Sequence, residues 1–110
     1  MTDIIDTIIT ALKAQTVFGS RVFRGWPPAA YIMPCCGVSE TVAGNQSDGN
    51  TLAVWTVQVD SWGKTPTDIV AIKAAINTVA RTYRAAALHR SIPETGSIHV
   101  ISTFDIFGGS

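Results

Sequence analysis

The stretch from Thr51 to Trp62 alternates with a period of two. Ala53, Trp55, Val57 and Val59 fall on one side, and Thr56, Gln58 and Asp60 on the other. Only a half-buried strand presents residues in this way, and its apolar face must be covered. A helix start follows at once. Thr65 is the cap, Pro66 the first helical residue, and Asp68 stands where its carboxylate can reach back to the cap. Ile69, Ile72, Ile76, Val79 and Tyr83 then form one stripe at three- and four-residue steps, with Lys73, Asn77, Arg81 and Arg84 elsewhere around the cylinder. This helix is expected to reach Ala86 or Leu88, before Pro93 and Gly96 break the chain.

The remaining segments fit around that unit. Asp3 to about Gln15 predicts a first helix, with Ile5, Ile8, Ile9 and Leu12 at helical spacing and Thr2 or Asp3 as its cap. Arg21 to Arg24 is a short extended piece, and Gly25-Trp26-Pro27-Pro28 forbids helix. Residues 30–42 predict a strand with Pro34 inside it, which implies an edge position or a bulge there. Residues 44–50 are polar and glycine-flanked, the expected mobile tip of an antiparallel hairpin between 30–42 and 51–62. Residues 98–107 predict a last strand, with Ile98, Val100, Phe104 and Ile106 on one face and His99, Thr103 and Asp105 on the other. The expected fold is a single α+β domain over 1–110. Two amphipathic helices pack on one face of a small, mainly antiparallel sheet, in the order α-β-β-β-α-β.

Charge limits the function classes. Eight Lys/Arg balance eight Asp/Glu, so the chain has no broad electrostatic footprint for nucleic acid or an anionic membrane. Only 15% of residues are charged, against about 25% in a typical soluble domain. Mean hydropathy is +0.26. A lightly charged, apolar exterior is normally covered by partners. No apolar run is long enough for a membrane span. The acidic start, with Asp3 and Asp6, does not read as a secretory signal, so folding is expected in a reducing cytoplasm.

The titratable residues form no recognisable catalytic pattern. Cys35 and Cys36 are neighbours in an extended segment and point to opposite faces, which disfavours a disulfide between them. With no nearby His they are a poor metal site and read as ordinary buried residues; a thiol dyad with His89 or His99 has no local signature. Asp60 and Asp105 could approach if their strands pair, but a paired acid site also needs an apolar cleft. The Gly44-to-Gly49 spacing lacks the Lys-Ser/Thr of a phosphate loop and leads into a strand. No catalytic, cofactor-binding or metal-binding residues are therefore assigned. Arg21 and Arg24 around Phe23, with Trp26 beyond, could touch nucleic acid, but Arg and Trp are also typical interface anchors. Trp62, opposite in parity to the apolar face, is either a partner anchor or a cover for the second helix. Trp55 is expected in the core. The candidate interface set is Arg21, Arg24, Trp26, Asn45, Gln46, Ser47, Asp48 and Trp62.

The succession of a twelve-residue helix, Arg21-Val22-Phe23, a Pro-containing loop, Tyr31-Ile32-Met33, a polar loop, Leu52 to Trp62 and a capped helix with Ile-Lys-Ala-Ala-Ile at 72–76 resembles the tail completion, or tail terminator, proteins of long-tailed phages. The likeness covers roughly residues 3–107. It implies a non-enzymatic virion protein at the head-proximal end of the tail, assembled in the host bacterial cytoplasm. Such a protein forms a ring, usually a hexamer, that caps the tail tube and meets head connector or stopper proteins. DNA passes through the ring without sequence-specific contacts, and no cofactor is involved. Residues 43–50 would become ordered on assembly. Family members usually carry an extra strand between the second helix and the last strand. Here residues 84–97 are few and contain Pro93, so that strand is not expected. The alternatives are a connector adaptor or minor tail-tip component, and a small ferredoxin-like enzyme or ligand-binding domain.

Overall fold

The computed structural model describes residues 4–28, 32–42 and 53–108. Its elements are α1 (Ile4–Lys13), β1 (Val22–Arg24), β2 (Cys35–Val42), β3 (Ala53–Gly63), α2 (Pro66–Thr82), β4 (Leu88–Glu94) and β5 (Ser97–Gly108). The sheet order is β1-β2-β3-β5-β4. β1 runs parallel to β2, and the other pairings are antiparallel. The architecture is α+β, with both helices on one face. Ile5, Ile8 and Leu12 of α1 and Ile69, Ile72, Ile76 and Val79 of α2 close over Cys36, Val38, Val57, Val59, Val100, Phe104 and Ile106. Phe18, just after α1, is fully buried in the same core.

The expected α2 start is present. Thr65 accepts from the Asp68 amide, and the Asp68 carboxylate accepts from the amides of Lys64 and Thr65. The helix ends at Thr82, short of the expected Ala86 or Leu88, because Arg84 turns into the left-handed region at φ 58°. The amide of Ala85 then reaches back to the Ala80 carbonyl at 3.0 Å. This is the helix-ending motif that usually carries glycine.

Three strand expectations need correction. β4 exists, so the order is α-β-β-β-α-β-β rather than one strand shorter. Pro93 fits because β4 is an edge strand, where a missing N–H costs least. Pro34 is not inside a strand; it precedes Cys35, and the Met33–Pro34 bond is cis. β2 is also not an edge, since β1 pairs with its outer side, and the sheet's irregularity lies between Glu40 and Val42. The hairpin of β2 with β3 is present. The expected loop at 43–50, the strand start at 30–31, the Thr2 or Asp3 cap, the tail at 109–110 and the side chain of Trp55 lie outside the described residues.

The loop from Gly25 to Pro28 crosses the helix-free face of the sheet. The Gly25 amide donates to the Val38 carbonyl at 2.8 Å, and a Cβ on Gly37 would overlap the Gly25 carbonyl. The absent side chain of Gly37 is what lets this loop lie flat on β2.

Candidate functional site

The crossing loop converts part of the polar sheet face into a second, smaller buried cluster. By register, Cys35, Trp62, His99 and Ile92 form one cross-strand row, and Gly37, Asp60, Ile101 and Arg90 the next. Trp26 comes down from the loop onto the first row. The Trp62 and His99 rings stack at 4.5 Å and 12°, and Trp26 leans over both at 5.2 and 6.1 Å. Trp62, Asp60 and His99 are buried, whereas Trp26 is 66% exposed.

His99 lies between two carboxylates. Its Nε2 is 2.9 Å from Asp60 Oδ1, and its Nδ1 is 3.3 Å from Glu94 Oε2. The contact to Asp60 is a hydrogen bond in which His99 Nε2 donates, because a carboxylate oxygen accepts. Gln58 Nε2 donates to the other Asp60 oxygen at 2.9 Å. The cluster is internally satisfied, and its outward parts are the Trp26 ring and the partly exposed Glu94 carboxylate. Asp105 does not join it. Register places Asp105 opposite Thr56, whose hydroxyl donates to it at 2.7 Å, while Asp60 is opposite Ile101. The two carboxylates do not form a pair.

A second polar network sits on the helix side. His89 of β4 meets Ser102 Oγ through Nδ1 at 2.7 Å and Asn77 Oδ1 through Nε2 at 2.9 Å. Because Asn77 Oδ1 can only accept, Nε2 carries the proton and Nδ1 accepts from the serine hydroxyl. The order serine–imidazole–amide is that of an activated nucleophile, but Ser102 is fully buried. The network locks α2 to the β4–β5 edge. Burial, with Lys73 adding to it, holds the His89 pKa below its ordinary 6.5. The unfolded chain therefore takes up this proton first. Stability from the neutral ring is complete above pH 6.5 and is lost as pH falls through the lower folded value. Urea titrations between pH 7.5 and 5 should show stability falling on acidification, and His89→Gln should flatten that slope. An equal slope in the variant would exclude His89 as its source.

The cysteines behave as buried thiols. Cys36 is in the main core and Cys35 on the opposite face. Burial pushes the Cys35 thiol up to about 11 despite the opposing pull of Arg21, and pushes Cys36 higher still. Thiols so placed are poor nucleophiles near neutrality. Among the described residues, no group of three His, Cys, Asp or Glu is arranged to hold a metal ion, and no helix is long and apolar enough to cross a membrane.

The expected interface residues divide. Arg21 donates to the carbonyls of Pro34 and Val17 at 2.7 and 3.2 Å and so braces the entry to β2. Arg24 pairs with Asp6 at 2.9 Å on the surface. Trp26 is open to contact. Trp62 neither covers α2 nor faces outward; it is 5% exposed beneath Trp26. Asn45, Gln46, Ser47 and Asp48 lie outside the described residues. His99, Asp60 and Glu94 carry no local motif that marks them as a group. The available signal was parity: Asp60, Trp62 and His99 all fall on the polar side of their strands. No protein-family model matches the chain, and no curated protein matches it.

Proposed function

We propose that this chain is a non-catalytic structural subunit of a phage tail, closing into a ring that caps the tail tube and joins it to head connector proteins. A ring needs two different contact patches on each copy, because one patch must meet the other around the circle. The observation that carries the reading is the placement of exposed large apolar side chains. Ile32, 72% exposed, precedes β2 near the β1 side of the sheet, and Leu88, 75% exposed, opens β4 at the other edge. Trp26 adds an aromatic anchor. Such side chains, on a surface with few charges, suit burial by neighbours. The succession of sequence segments that resembles tail terminators is what favours this place in the particle.

The test is electron microscopy of negatively stained subunit, alone and mixed with purified phage tail tubes. Rings seated on one end of the tubes are expected. Protein that stays dispersed and leaves both tube ends bare would refute the proposal.

A further inference from the structure

The formal neutrality of the chain conceals a sharp division of charge. Residues 69–93 contain Lys73, Arg81, Arg84 and Arg90 and no Asp or Glu. The eight carboxylates all lie elsewhere, alongside only four cations. The acid-free segment folds into one region, α2 and the adjoining edge strand β4. Lys73, Asn77 and Arg81 recur every four residues along one flank of α2. His89 bonds to Asn77, so that flank faces β4. At the end of the flank, Asn77, Arg81 and Ala85–Ala87 line a cleft of about 340 Å³. Arg84 stands in the turn beside it, and Arg90 projects from the other face of β4.

Two further observations indicate that these cations serve something outside the subunit. The first is the state of the acids. Asp6 pairs with Arg24, Asp60 and Glu94 hold His99, Asp68 caps α2, and Asp105 accepts from Thr56. The described carboxylates are thus engaged at home, while Arg81, Arg84 and Arg90 are exposed and have no acidic partner among the described residues. The second is the backbone of Arg84. Its φ of 58° is strained for any residue with a Cβ, and glycine would be the stable choice. The Arg84 guanidinium is thus presented from a turn that carries some backbone strain.

We propose that the basic flank of α2, with the turn that follows it, forms a sequence-independent binding surface for the phosphate backbone of double-stranded nucleic acid. Lys73 and Arg81 are about 12 Å apart along the helix, from eight residues at about 1.5 Å each. Along one strand of a duplex phosphates recur about every 3.4 Å of the axis, so this row spans about three to four of them, and guanidinium forks match their oxygens. The surface adds to the proposed function and does not depend on ring closure.

The test measures binding of a fluorescent 30-base-pair duplex by anisotropy across a salt series. Engagement of Lys73, Arg81 and Arg84 gives a log–log salt slope of about −2.7. Arg81→Glu with Arg84→Glu should weaken binding more than tenfold, while Lys13→Glu with Lys64→Glu, an equal charge change on exposed residues elsewhere, should leave it within about threefold. Arg84→Gly should raise the melting temperature by a few degrees and weaken binding, which separates retained function from mere tolerance. Three results would overturn the proposal: no binding by the unmodified chain at low salt, equal losses in both double variants, or equally effective competition by polyglutamate at matched charge, which would mark an acidic protein surface as the occupant. Sedimentation of the same variants reads ring formation separately.

Discussion

Replacing His99 with alanine should destabilise the subunit by about 3 kcal/mol, the upper part of the range for leaving a buried polar group without its hydrogen-bond partner. His99 and Asp60 side chains are only 10% and 7% exposed, with 2.9 Å between them. Without the ring, Asp60 keeps only its bond from Gln58, and a buried carboxylate loses its principal partner. The lost stacking against Trp62 adds to this. Asp60→Leu combined with His99→Leu should be milder than His99→Ala alone, because it leaves no buried carboxylate without its partner and fills the space. Urea unfolding with an unchanged denaturant slope is the measurement. A loss below about 1 kcal/mol in the single variant would mean that the pair carries little of the fold.

Gly37→Ala should have an effect of similar size, about 3 kcal/mol, at the upper end of what overpacking a fixed site costs. The new Cβ would overlap the Gly25 carbonyl, lie 2.9 Å from the Gly25 carbonyl carbon and come within 3.3 Å of Pro27. None of these is the flexible end of a side chain. Gly37 cannot retreat either, since its strand is paired with Phe23 on one side and Asp60 on the other. The loop must lift, carrying Trp26 away from Trp62 and His99. Near-ultraviolet circular dichroism should therefore lose the signal of the paired indoles along with stability. A variant of unchanged stability and spectrum would show that the loop does not lie on β2 as described.

Both predictions depend on features that a linear pattern exposes only in part. Strand parity placed His99 and Asp60 on the polar side of the sheet, and the ladder bears that out. Parity cannot say what lies on top of a face. The cover is a loop from a distant segment, held by a glycine whose importance is the absence of a side chain. A polar face therefore read as solvated where it is buried. The helices were legible because their stripes and the Thr65–Asp68 cap are local chemistry. β4 was not, because Leu88–Glu94 is short, contains proline and is held by its pairing with β5 and the His89 network rather than by its own periodicity. The basic flank was hidden by counting charge over the whole chain. Its acid-free span appears only when charge is read segment by segment.

Sedimentation velocity over a concentration series distinguishes assembly through two different patches on each copy from a solitary subunit. The unmodified chain should move toward one closed ring mass as concentration rises. Ile32→Asp and Leu88→Asp should each remain at the mass of one chain, and an equimolar mixture of the two should form dimers and stop there, because each copy retains one intact patch. An unmodified chain that sediments as a single copy at every concentration, or a mixture no larger than its components, would contradict the account.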